Sequence, residues 1–544
     1  MTRIFKKLVF SLILLVFPAC CNPTQRIEKS EQIIHKAHLS DGWYPQNKDI
    51  LDQELTNYFK LAHQDFDVTV DPNSIKALIV PHAGIYFSGL CAATAYQTLL
   101  TNKENFEKNK KIKRVIILSP SHTKAFTGIS LPDYNAYETV LGTIKVDAKT
   151  VEILKENNLF KNEPETHDRE HAIEVQLPFL QKTIESFEIV PLIVGHIDNN
   201  QYNEICNTLK KIIDDKTLII ISSDFTHYGS NYGYAPFSDN IFRAIRFVDS
   251  LAINAITAND PLTLVDKFNE SLNKTQATIC GQNSIKILLK LLEQNVLGNL
   301  NSKLSCYYTS PQMSLARSKN DIEELTKDVT DDLAQTSVSY AGIVFTSQKL
   351  DELKKEEQLT EYEKKSLLKL AQDTIENNLS KEKTAEHLLW PVISSGLKKE
   401  AGAFVTLNTK DGQLRGCIGR IVSDLPLFQT VQIMAKTAAF NDTRFSPVTQ
   451  NELDDIVIDI TVLTPPKKID SYKDIELGKH GIILKKLTKD KGSVSSVFLP
   501  QVPPSFGWNL QTTLEQLALK AGLGKNDWQQ DCKFEVFEGF EIYH

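Results

Sequence analysis

The stretches KALIVPHAG (residues 76–84) and RVIILSPSH (114–122) decide how this chain is read. Each is a short apolar run that ends at or just before a proline and then presents a histidine, His82 or His122. Runs of the same kind cover 77–80, 115–118, 189–194, 218–221 and 338–345. Helical stretches, such as 172–183 and 240–256, lie among them. Continuous apolar runs of strand length predict strands buried on both faces, so residues 41–346 are expected to form an α/β domain with a mostly parallel sheet.

In open α/β sheets, ligands bind beyond the carboxyl ends of the strands. His82, His122, His196 and His227 all stand just after predicted strands, the last within SSDFTH (222–227). Proline cannot continue a central ladder, so Pro81 and Pro120 are expected to turn the chain out of the sheet. Gly84 is expected to let the backbone turn where a ligand approaches closely. EHAIE (170–174) opens a helix, with His171 and Glu174 on one face. TICG (278–281) puts Cys280 before an apolar helix, where the dipole is expected to lower its pKa.

A single strand-end histidine is more often a hydrogen-bonded structural residue than a ligand; the recurrence is what argues for a site. His82, His122 and Cys280 would give a mixed nitrogen and sulfur set. That set suits iron, copper or zinc rather than magnesium or calcium, and three protein ligands leave positions open to a substrate. His227 and His171 are the acid/base candidates, and Asp224 would orient an imidazole.

The chain has 544 residues, 41% hydrophobic and 24% charged, with a net charge of -7. That composition supports packed domains. The acidic balance, with no basic stripe, argues against a nucleic-acid partner. Residues 1–21 have a basic start, a short apolar run and Ala19 before Cys20. This predicts a lipoprotein-type signal peptide, followed by a polar tether at 22–40. The expected location is the bacterial cell envelope, either lipid-anchored at Cys20 or periplasmic or secreted, with no other membrane contact. The eight cysteines include no CxxC pair, and those beyond the signal are expected to be mostly free thiols.

The pattern changes after a charged linker at 347–359. Residues 360–544 read as a smaller α+β domain with antiparallel strands. It begins with a helix at 360–379 and a hairpin, GAFVTLNTKDGQLRGCIG (402–419), about a Lys-Asp-Gly turn. Arg415 and Cys417 are placed in a glycine-flanked turn, and Asp442 and Arg444 in a polar stretch. Together they are a possible second site, where an arginine could clamp an anion. The alternative is a tight turn whose small residues merely fit.

Taken together, VPHAGIYFSG, LSPSHTKAFTG, EHAIEVQLPFL, ISSDFTHYG, TICGQNSI and SVSYAGIVF occur in the order of the Memo family, and residues 41–346 resemble it. The resemblance implies a fold like that of the class III extradiol dioxygenases. It also implies a metal site with two histidines and a cysteine, carried here by His82, His122 and Cys280. Asp224 and His227 would lie in the pocket, with His171 near it. LRGCIG, AAFNDTRFSP and FLPQV resemble the AMMECR family over 360–544. The two families accompany a radical-SAM protein in the AmmeMemoRadiSam system, which implies such a partner. The expectation is therefore a metal-dependent redox enzyme using Fe(II), or else Cu or Zn, on an unknown small molecule. The alternatives are a non-catalytic module that binds a modified peptide or partner, and a zinc hydrolase. Fold likeness does not by itself imply ring cleavage.

Overall fold

The computed structural model describes residues 33–543 other than 164, 259, 261, 350–354 and 489–491. The proposed signal peptide, its Cys20 and the tether up to residue 32 lie outside the described residues. No helix among the described residues is long and apolar enough to cross a membrane.

The apolar runs form the centre of a nine-stranded sheet. Ile75–Val80, Thr217–Ser222, Arg114–Pro120 and Glu188–Val194 lie side by side in that order, all parallel. Their side chains are almost all buried, which is why the runs are continuous rather than alternating. Parallel strands end at one edge, so the residues after Val80, Pro120 and Ser222 share a rim. Pro120 does not break the ladder as expected; it pairs with Val194 as the last residue of its strand.

The run at 338–345 forms the strand Ser337–Thr346, but it is antiparallel to Ile75–Val80. A fully buried run carries no signal of direction. Its two further neighbours, His227–Tyr228 and Asn301–Thr309, are also antiparallel, and the second is not expected from the sequence. That strand has little apolar character in its first half, yet Lys303 and Ser305 are buried in it.

The second half contains two antiparallel four-stranded sheets, as its hairpin pattern implies. Ala403–Thr409 and Leu414–Arg420 pair across the Lys410-Asp411-Gly412 turn, where Gly412 takes a positive φ of 84°. Helix Glu361–Leu379 begins with a capping box between Thr360 and Glu363. The halves are packed together. Tyr362 and Val392 join the large N-terminal core, Thr360 Oγ1 donates to Leu304 O, and Ile393 N donates to Ser250 Oγ. The contact lies at the antiparallel side of the large sheet.

Candidate metal centre

His82 is fully buried and held from three directions. Its backbone N–H donates to Asp224 Oδ1 at 2.8 Å, and Gln176 Nε2 donates to Pro81 O at 2.9 Å. Its Nδ1 lies 3.0 Å from Ser222 Oγ. The Ser222 hydroxyl donates to Ala172 O at 2.6 Å, so it is the acceptor towards the ring. Nδ1 therefore carries the hydrogen, and Nε2 keeps its lone pair. That Nε2 lies 3.3 Å from Cys280 Sγ.

His122 is set in the same way by a different group. Glu170 caps the short helix His171–Glu174 by accepting from Ala172 N. It also accepts from His122 N at 2.7 Å and pairs with His122 Nδ1 at 2.8 Å. The His122 Nε2 lone pair is again left over. His227 Nδ1 faces two carbonyls, Phe225 O at 2.9 Å and Thr278 O at 3.1 Å, and so donates as well. A histidine whose far ring nitrogen is tied to a carboxylate, carbonyl or hydroxyl is oriented as metal-binding histidines are.

The rings converge. His82 and His122 have centroids 5.1 Å apart, His82 and His171 5.3 Å, and His122 and His171 4.4 Å. Ligand-capable atoms of His82, His122 and His171 all lie within 4.8 Å of one another. His171 thus completes the group with the two expected histidines, whereas the expected ligand Cys280 lies outside it and touches His82 alone among them. Trp43 lies against His171, with ring centroids 4.2 Å apart.

The electrostatics suit neutral donors awaiting a cation. Burial, with the neighbouring imidazoles, holds His82 well below the usual histidine range, and burial brings His171 down to about 4. Burial also raises the Asp224 carboxyl, although the nearby His227 opposes this. Burial would raise Glu170 too, but the hydrogen bonds it accepts from the His122 ring and backbone outweigh it and bring the group down to about 2. Cys280 corrects the sequence expectation. Its helix begins two residues later, at Gln282, and burial together with the Asp224 charge pushes the thiol up, not down. A bound metal ion would supply the missing positive charge, since a coordinating thiol is deprotonated.

Other expectations change in detail. Asp224 holds the His82 backbone rather than an imidazole ring. Gly84 has a φ of -50°, and its bare Cα is required because an added Cβ would sit 2.7 Å from Gly42 O. The close approach is by the chain itself. His196 lies outside the cluster, largely exposed beside Asp198. His171 and Glu174 serve two different clusters: Glu174 bonds His38 and Tyr44. Glu170, Ser222, Gln176 and Trp43 were not singled out as site residues. Only Glu170 had a legible signal, its place beside His171 at a helix start.

In the second half, Arg415 and Cys417 lie within the strand Leu414–Arg420, not in a turn. Gly416 and Gly419 are there for packing: an added Cβ would meet Ala438 O at 2.4 Å and the Phe404 ring at 2.2 Å. Asp442 accepts from Cys417 N at 2.9 Å and binds Arg444 Nη2 at 2.7 Å, while Arg415 Nε binds Glu452 at 2.8 Å. The structure brings Cys417, Asp442 and Arg444 together and pairs Arg415 elsewhere. The six cysteines beyond the proposed signal are free.

An α/β domain with a histidine cluster at the carboxyl rim of its parallel strands, followed by antiparallel sheets, defines a two-domain class. The Memo-like protein family model matches residues 36–320, and the AMMECR1 model matches 368–542. The chain belongs to the Memo family and carries an AMMECR1 domain fused to it. It is 31% identical over 318 residues to the Protein memo-1 homolog of Caenorhabditis elegans, covering 57% of this chain and 82% of that protein. It is 27% identical over 323 residues to human Protein MEMO1, covering 58% and 98%. Among solved structures, the uncharacterized protein PH0010 from Pyrococcus horikoshii is 32% identical, with a TM-score of 0.28, over 32% of this chain and 88% of that one.

Proposed function

We propose that the N-terminal domain is a metal-dependent redox catalyst, with His82, His122 and Cys280 holding one iron ion and copper as the alternative. One observation carries this reading: Ser222 and Glu170 fix the Nδ1 hydrogens of His82 and His122, which leaves ring lone pairs in a cluster that is buried at His82, opens to solvent at His122 and lies beside a thiol. When bound, iron supplies Lewis acidity and one-electron chemistry. Sulfur in the donor set makes the site soft, which favours iron or copper over hard cations.

The chain's own residues bind and orient. Asp224 fixes the backbone of His82, and Glu170 fixes both His122 and the start of the helix that carries His171. Trp43 packs against one side of His171. His171, neutral at physiological pH, would accept a proton from a bound small-molecule substrate. His227 would hold or return that proton, with its ring orientation set by Phe225 O and Thr278 O.

Elemental analysis of anaerobically purified full-length protein tests the proposal, alongside Cys280→Ser. The expected result is about one equivalent of iron in the native chain, bound through a thiolate, and a marked loss of it in the variant. Unchanged metal content in Cys280→Ser would remove the thiol from the ligand set. Zinc retained through purification, with no redox response, would favour a hydrolase instead. Partner binding that survives complete chelation would favour a non-catalytic module.

A further inference from the structure

A second group of ligating side chains meets at Glu174, the last residue of the His171–Glu174 helix. His35 is buried, and its strand, Ile34–His35, runs parallel to Ala136–Thr139. Its Nε2 donates to His167 O at 2.9 Å, which leaves the Nδ1 lone pair. That Nδ1 is buried and has no hydrogen-bond partner. An unpaired polar atom in such a place costs stability unless something occupies it. His35 stacks on Tyr137 at 4.6 Å, so the ring is fixed.

His38 and Glu174 complete the group. Glu174 is fully buried and accepts from Tyr44 Oη at 2.5 Å and from the backbone of His38 and Leu39. His38 Nδ1 lies 2.6 Å from Glu174 Oε2, and the His38 side chain is about a quarter exposed, which gives an ion a way in. Ligand-capable atoms of His35, His38 and Glu174 all lie within 4.8 Å of one another. We propose that His35, His38 and Glu174 form a second site for a divalent transition ion, zinc above all, with its fourth position left to water. Two imidazoles and one carboxylate are a common zinc donor set, and they are harder than the set at His82.

The position gives such an ion a purpose. Residues 35–44 form a strap over the domain. Trp43 O accepts from Ile85 N at 2.7 Å, Gly42 O fills the space above Gly84, and the Trp43 ring covers His171. Glu174 is one helical turn from His171. An ion held by His35, His38 and Glu174 clasps the strap to the helix and so fixes Trp43 over the first cluster.

The test uses full-length protein stripped with a chelator and titrated with zinc chloride by calorimetry and elemental analysis. His82→Ala weakens the first site, and His38→Gln weakens the second while keeping a hydrogen-bonding group for Glu174. The expected result is two equivalents in the native chain, one in each single variant and none in the double variant. Zinc should raise the melting temperature of His82→Ala but not of the double variant. Zinc affinity at the second site should fall in His38→Gln by more than the ~10–100-fold that loss of an outer-shell partner costs. Zinc binding by His82→Ala that His38→Gln leaves unchanged, or no zinc binding by His82→Ala at all, would overturn the proposal. Either result leaves the first site to be judged by its own metal content, so the two proposals fail separately.

Discussion

The His82 rim and the Cys417 hairpin are built from similar residue types and reach opposite ends. In the hairpin, Asp442 meets Arg444 through two oxygens and Arg415 meets Glu452. The charges cancel within the fold. At the rim, Glu170 and Ser222 meet only the far nitrogens of His122 and His82, so the near ones are left facing inwards. Paired charges stabilise a structure; oriented, unspent lone pairs invite a ligand. Side-chain chemistry alone therefore does not mark a site. What marks it is which atoms the surrounding residues leave unsatisfied.

This contrast is open to direct attack. The largest effect is expected from His82→Ala, which should remove nearly all metal from the first cluster, whereas Arg444→Ala should leave metal content unchanged. Elemental analysis of both variants decides it. Glu170→Gln comes next. It retains the shape of the side chain but loses the charge that orients His122, and metal affinity should fall by about 10–100-fold in a chelator competition. Equal affinity would mean that His122 does not need Glu170.

Asp442→Ala should destabilise without touching the metal. It strips the partner from Cys417 N, where a hydrogen bond to a charged group contributes about 1.5–3 kcal/mol, and from the exposed Arg444, where an ion pair contributes about 0–1 kcal/mol. The midpoint of denaturant unfolding reads this. The smallest effect is in acid. Arg415 and Thr449 hold Glu452 down at about 2, and Arg444 holds Asp442 lower still. Both folded-state values lie below the unfolded ones, so their contribution is full above the ordinary carboxylate range. It is lost as pH falls towards about 2. Arg415→Gln should flatten that acid limb slightly; an unchanged limb would show that the pair adds nothing.

Much of this was legible in the chain. The runs ending at Val80, Leu118, Val194 and Ile221 mark the parallel core and its rim because burial on both faces leaves an unbroken apolar signature. The hairpin about Lys410-Asp411-Gly412 was legible because a positive φ calls for glycine. Asn301–Thr309 escaped notice because its buried residues are partly polar, and buried polar groups are satisfied by partners remote in sequence. Gly84 misleads for a related reason: a glycine signals close approach, but not of what.

The sequence by itself determined the two-domain order, the parallel strands and the placing of His82, His122 and Asp224 at strand ends, since these follow from local hydrophobic pattern and chain direction. Only the tertiary structure decided that His171 faces His82 while Glu174 faces His38, that His196 stands apart, and that the Cys280 thiol lies beside His82. The reason is physical. Periodicity fixes which way a residue points from its own strand or helix, but which atoms are left without a partner depends on groups that meet only after the chain has folded.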